Sequence, residues 1–192
     1  MGRQEQRDET RQRILAAARA CFEARGFDAT GLREVARAAG VATGTLFVHF
    51  TDKHDLLAAA LYDELAAAVA RAGALAIDDL EGWLDAVTVD VLAAYTARPA
   101  LARVLLREAL LAEPPWRERF AAVIGGLAEV VVARIAAEKA VGAVRVDADA
   151  RVFAGAYVAF LNTALILWVQ DAHPEPRRFV AALVHQQLRG AR

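Results

Sequence analysis

The chain reads as an all-α protein of about nine helices, on three features of its 192 residues. Alanine is the commonest residue, and alanine is the strongest helix former. Apolar residues recur at the three- and four-residue spacing of a helix face, and the sequence lacks the β-branched runs that a doubly wound α/β sheet would need. Only 5 prolines and 12 glycines interrupt that pattern, and several of them mark its segment ends.

The elements follow in order. A first helix is predicted from about Glu9 to Arg25, with Ile14, Ala18, Cys21 and Phe22 on one face and Gly26 as its terminator. Leu32, Val35, Ala36 and Ala39 define a short second helix over 32–39. Gly40-Val41-Ala42 makes a tight turn in which Gly40 is expected at positive φ, with Val41 in the core beneath. The third helix runs from Thr43 to about Phe50, and Thr51-Asp52 open a long fourth helix to about Ala74. The fifth spans about Asp79 to Ala97 and is stopped by Pro99. The sixth spans about Pro99 to Ala112 and stops at Pro114-Pro115. A seventh over 115–141 is expected to break or kink at Gly125-Gly126. The eighth is capped by Asp147 and ends near Ala172. Pro174 and Pro176 introduce a ninth, which ends near Arg189.

Composition narrows the function classes. Apolar residues make up 57% of the chain, enough for a large core, and the charged N-terminus has no signal-peptide pattern. A single cysteine excludes a disulfide framework and a multi-cysteine zinc site. Cys21 lies on the apolar face of the first helix and is expected to be a buried, inert thiol. The net charge of -1 gives no global basic field, and residues 1–55 hold nine cations against eight carboxylates, so any nucleic-acid surface must be local. Residues 152–169 run without a charge, near the length of a membrane span. Asn162 and Thr163 in mid-run and the amphipathic neighbours favour a helix buried in a bundle or between subunits. The expectation is a soluble cytoplasmic protein with no membrane partner.

Short helix, glycine turn, short helix is the spacing of a helix-turn-helix. Leu46 and Phe50 would pin the third helix inward. Thr43, Gly44, Phe47 and Val48 would then face outward, with Thr45 and His49 at the edges. Thr43 and Thr45 can hydrogen-bond bases or phosphates, and Phe47 and Val48 can touch a thymine methyl. A functional boundary is expected near Asp55. It separates residues 1–55, where short helices are joined by tight glycine turns, from 56–192, where long helices are suited to a bundle, the two parts joined by the fourth helix.

Residues 27–57, FDATGLREVARAAGVATGTLFVHFTDKHDLL, closely resemble the DNA-binding signature of the TetR family of bacterial transcriptional regulators. The resemblance covers the first quarter of the chain and implies that the third helix enters the major groove. It assigns DNA contacts to Arg33, Thr43, Gly44, Thr45, Phe47, His49 and, as a phosphate clamp, Lys53. The sequence departs from the family twice: Phe47 replaces the usual tyrosine and lacks its phosphate-binding hydroxyl, and Gly31 stands where a Ser or Thr cap is usual, with Thr30 before it. The resemblance further implies a small-molecule effector bound after the reading domain and a homodimer formed by the last two helices, where Ala154, Gly155, Ala156 and Ala159 permit close approach.

For the effector, Trp83, Tyr95, Trp116, Phe120 and Tyr157 supply aromatic surface and Asn162 a scarce polar group, which suits a largely apolar ligand. No HExxH, GxSxG, P-loop, GxGxxG or CxxC occurs. His49 and His54 are wrongly spaced for one helical face, so no catalytic residue, metal or cofactor is expected. The reading is a transcriptional regulator, a repressor released from a palindromic operator by its effector. The alternative is a helical small-molecule-binding protein with weak or no specific DNA binding.

Overall fold

The computed structural model describes residues 2–109 and 116–191, and within them every regular element is helical. In chain order they are α1 (Arg3–Arg25), α2 (Leu32–Ala38), α3 (Thr43–His49), α4 (Lys53–Ala72), α5 (Leu80–Thr96), α6 (Pro99–Ala109), α7 (Trp116–Ala140), α8 (Ala150–Val169) and α9 (Pro176–Ala191). The all-α prediction holds, and most boundaries fall within the few residues by which helix ends ordinarily fray.

Three local expectations are corrected. α1 begins at Arg3 rather than Glu9, because the Gly2 amide donates to the Glu5 carboxylate at 2.7 Å and Gln4 bonds Asp8 one turn on. Those first two turns carry no apolar side chain, so periodicity could not reveal them. α8 is capped by Asp149, which accepts from the amides of Arg151 and Val152, whereas Asp147 is engaged by the Arg145 guanidinium. α7 continues through Gly125-Gly126 without a break. Leu127, Val131 and Ile135 on the same helix are all buried, and their burial outweighs a penalty of about 1 kcal/mol per glycine. The expected end of α6 near Ala112 and the Pro114-Pro115 stop lie outside the described residues.

The chain forms two compact units. The first comprises Met1–Glu64 and Arg98–Trp116, the second Leu65–Ala97 and Arg117–Arg192, so the division falls inside α4. In the first, Ile14, Leu15, Ala18 and Phe22 of α1 meet Val35 and Ala36 of α2, Leu46 of α3 and Leu56 and Leu57 of α4 in a closed core, and Leu101 and Leu105 of α6 are buried as well. Thr30 is buried in the turn before α2, its hydroxyl within reach of the Cys21 and Gly26 carbonyls at 3.1 and 2.8 Å. Cys21, expected to be buried, is half-buried, and the burial it has pushes its thiol pKa up.

In the second unit, α9 packs on both α5 and α8. Its core gathers Leu84, Val87 and Val91 of α5, Phe153, Tyr157 and Leu161 of α8, and Val180, Val184 and Leu188 of α9. Two of its helices, α7 from Arg117 to Ala140 and α8, are long and apolar enough to cross a membrane by length and composition. Each buries one face within the unit. The other face of α8 exposes Val152, Gly155, Ala159, Asn162 and Thr163. Asn162 is thus at the surface, not in an apolar interior, because the helix turns its small and polar residues to one side.

Candidate nucleic-acid interface

The local chemistry of residues 40–50 fixes the orientation of α3. Gly40 sits at φ +66°, a conformation that lets the chain reverse between α2 and α3 without a Cβ clash. Its amide and that of Val41 bond back to Arg37 and Ala36, closing the end of α2. Leu46 is fully buried and Phe50 nearly so, and together they anchor one side of α3. The other side must then face solvent. Gly44 is exposed, Phe47 and Val48 are 52% and 67% exposed, and Thr43, Thr45 and His49 are half-buried at its margins.

Two large apolar side chains on a seven-residue helix are an unfavourable surface in water unless something covers them. With small residues at the N-terminal turn they form a narrow, mostly uncharged ridge, and two hydroxyls lie beside it. Such a ridge can enter a groove and approach base edges. Cations flank it: Arg33 and Arg37 of α2 are exposed. Burial lowers the pKa of the His49 imidazole, and Arg7 and Arg11 of α1 repel its charged form further. The unpredicted first turns of α1 thereby bring Arg7 into the electrostatic neighbourhood of α3. Arg11 spans the same region, stacked 5.7 Å over the Phe50 ring and paired with Asp63 at 2.6 Å.

The start of α4 is tied down from both sides. The Asp52 carboxylate accepts from the Asp55 amide at 2.8 Å, and the buried Asp55 carboxylate accepts from the Thr51 amide at 2.8 Å. Lys53 extends its ammonium to the carbonyls of Asp28 and Thr30, at 3.1 and 3.0 Å, and lies 4.5 Å from the Phe27 ring centroid. It therefore clasps the turn between α1 and α2. An ammonium has three donors, and these two contacts leave one for an outside acceptor. Gly31 caps α2 without a side-chain bond, so the hydroxyl chemistry expected there has moved inward with Thr30.

The residues considered for an effector are less unified. Trp83, Tyr95 and Tyr157 are buried in the second unit. The Trp83 indole donates to the Ala72 carbonyl at 3.2 Å. The Tyr157 hydroxyl lies 2.9 Å from that of Thr88, both within reach of the Leu84 carbonyl. Burial pushes the Tyr95 phenol up to about 12 and raises that of Tyr157 as well. Phe120 is half-buried, Asn162 is exposed, and the Trp116 side chain lies outside the described residues. An open groove of about 660 Å³ runs between α5 and α9, lined in part by Asp85, Val89, Leu92 and Arg177, and none of the sequence-predicted effector residues lines it.

Sequence reasoning missed the long-range ion pairs, among them Arg177 with Asp85 at 2.6 Å and Arg98 with Glu64 at 2.6 Å. Their partners lie far apart in the chain, where no spacing rule operates. Among the described residues no group of three or more His, Cys, Asp or Glu could hold a metal ion.

Comparison with known proteins agrees with this geometry. Residues 14–60 match the family model of bacterial regulatory proteins, tetR family. The HTH-type transcriptional repressor AcnR of Corynebacterium diphtheriae is 32% identical over 138 residues, 71% of this chain and 69% of that protein. The HTH-type transcriptional regulator AcrR of Shigella flexneri is 50% identical over 48 residues, a quarter of this chain but only 22% of AcrR. Among solved structures, the transcriptional regulator FadR of Bacillus subtilis in complex with stearoyl-CoA superposes with a TM-score of 0.71 at 18% identity, covering 93% of this chain and 95% of that one.

Proposed function

The chain belongs to the TetR family and is a DNA-binding transcriptional regulator; from that premise we propose that it acts as a homodimeric repressor, using α3 to read a palindromic operator. The observation that carries the proposal is the outward ridge of α3, with exposed Phe47 and Val48 held over a buried Leu46. Thr43, Gly44, Thr45, Phe47 and His49 reach base edges and adjacent phosphates. Arg33 contacts the backbone beside them. Lys53 offers a phosphate its remaining N–H from the first turn of α4, where the helix dipole also favours an anion. The reading function belongs to residues 1–55 and effector binding and dimerisation to 56–192. In a dimer, two such helices meet successive major grooves about 34–36 Å apart. The exposed small-residue face of α8 supports pairing with a second copy.

The effector is a small, largely apolar molecule bound in the second unit, released states of the operator following from a coupling free energy of about 1–3 kcal/mol. The support is the aromatic content of that unit, with Trp83, Tyr95, Phe120 and Tyr157 as the proposed lining. FadR, which shares this fold, was solved with stearoyl-CoA, whose acyl chain is apolar. A cytoplasmic location follows from the partner, the bacterial chromosome. The role is regulatory, not enzymatic.

Fluorescence anisotropy with fragments from upstream of the protein's own gene, titrated at several salt concentrations, tests the reading. Saturable binding to one palindromic fragment, tens-fold or more tighter than to random DNA, is expected. Weak binding that vanishes equally for all fragments as salt rises indicates phosphate attraction only and favours the alternative, a helical ligand-binding protein without specific DNA recognition.

A further inference from the structure

We propose that the first two turns of α1 are a further DNA-binding element of the reading unit, in which Arg7 holds a backbone phosphate beside the bases that α3 reads. The inference rests on the operator reading above. α1 starts at Arg3, yet its first buried side chain is Ile14. Residues 3–9 are all exposed, so these turns cover no core. Ordering them costs entropy that no burial offsets. Local bonds hold them helical instead: the Glu5 carboxylate accepts from the Gly2 amide at 2.7 Å, and the Asp8 carboxylate from the Gln4 side chain at 3.1 Å. What the extension supplies is a row of side chains on a fixed rod.

The charges on that rod are not used alike. Glu5 and Asp8 are engaged by the bonds just given, and Arg11 is neutralised by Asp63 at 2.6 Å. Arg3 and Arg7 are exposed, and among the described residues neither is held in an ion pair. Arg3, Arg7 and Arg11 follow at intervals of four, so they share one stripe of the helix. Arg11 fixes where that stripe points, because its guanidinium lies 5.7 Å from the ring centroid of Phe50, the residue that ends α3. Arg7 stands one turn further out on the same stripe. Its charge reaches His49, the last residue of α3: with burial and Arg11 it lowers the imidazole pKa, against the opposing pull of Asp8. Glu9 is two residues on from Arg7, about 200° around the helix, and faces away. A free guanidinium therefore stands beside the reading helix. It is always charged and binds oxyanions through a planar fork, and the oxyanions nearest a helix in a groove are the phosphates along that groove. Arg3 adds a second argument. It lies in the first turn, where the helix dipole disfavours a cation, so an arginine there is best served by an anion from outside.

The test uses the full chain and a palindromic duplex selected from random-sequence DNA with the unaltered protein. Anisotropy is measured across a salt series for the unaltered protein, Arg7→Gln, Arg7→Lys and Arg13→Gln. Arg13 is the control, because it is also exposed on α1 but lies two residues from Arg11, on the opposite side of the helix. Both glutamine variants remove the same charge. Arg7→Gln is expected to weaken binding about three- to tenfold at low salt and to lower the salt slope by about 0.9 for each phosphate released. Duplexes changed at one base pair are expected to keep their rank, since a phosphate contact carries no sequence information. Arg7→Lys keeps the charge and loses the fork, so it is expected to keep the slope and to lose less affinity than Arg7→Gln. Arg13→Gln is expected to leave affinity and slope nearly unchanged. Thermal unfolding, followed in parallel, is expected to be the same for all four, because only exposed side chains differ. Equal losses from Arg7→Gln and Arg13→Gln would mean attraction by net charge alone and overturn the proposal. No loss from Arg7→Gln, or a loss at unchanged slope, overturns it as well. Failure of the unaltered chain to select any palindrome overturns it too, and that result is recognisable as failure of the operator reading itself.

Discussion

The two compact units use their polar and apolar groups in opposite ways. In the first, apolar side chains stand outside, Phe47 and Val48 on the ridge of α3, while the polar groups beneath are tied to backbone: Thr30 to the Cys21 and Gly26 carbonyls, Lys53 to those of Asp28 and Thr30. In the second, hydroxyls lie inside, Thr88 and Tyr157 closing on the Leu84 carbonyl, while Asn162 and Thr163 face out. The first unit is therefore built as a surface awaiting a partner, with its shape held by short-range bonds. The second is built as an interior that satisfies its own polar groups. A ligand entering it must either be apolar or compete with bonds already made.

Removing the support under the ridge separates the two units most sharply. Leu46→Ala deletes a fully buried side chain from the small first core and is expected to destabilise the chain by about 3 kcal/mol. Specific DNA binding is expected to go with it, while the far-ultraviolet helical signal of the second unit survives at temperatures where the first has melted. A single concerted transition, with both units lost together, would remove the distinction drawn here.

Next in size is the interior hydroxyl pair. Tyr157→Phe keeps the ring and removes the hydroxyl, leaving Thr88 with its bond to Leu84, so the expected loss is about 1 kcal/mol in denaturant unfolding, with operator affinity unchanged. Unchanged stability would contradict this role of the hydroxyl, whether or not the ring also lines the proposed effector site.

The smallest effect belongs to His49. Its pKa is lowered from the ordinary 6.5 by burial first and by Arg7 and Arg11 second. The fold thus favours the neutral ring, and acidification through the unfolded value of 6.5 costs stability. Nuclear magnetic resonance titration is expected to place the free-protein midpoint below 6.5. Operator phosphates should move it upward, because they attract the cationic form. A midpoint that ignores DNA would place His49 away from the interface.

How much of this was legible in sequence follows the same division. The α2–turn–α3 segment was readable because its determinants lie within a few residues: Gly40 at its positive φ, Leu46 and Phe50 one turn apart, the small residues between. The α8 cap was misplaced by two residues because two aspartates compete for it and Arg145 decides the choice by taking Asp147. α7 ran through its two glycines because buried neighbours outweighed local propensity. The Arg98–Glu64 pair and the clasp of Lys53 could not be read, since each joins parts of the chain that only folding brings together. The effector residues remained a list of aromatics because burial, not spacing, decides which of them a ligand can meet.

The central claim is that α3 reads bases while Lys53 holds a phosphate. Its most direct test compares Thr45→Ala and Lys53→Ala on the selected operator and on a panel of operators, each changed at one base pair, across a salt series. Thr45→Ala is predicted to lose discrimination at one position of each half-site with the salt slope unchanged. Lys53→Ala is predicted to weaken every duplex alike and lower the slope by about one. Equal, sequence-independent losses from both variants would contradict the account.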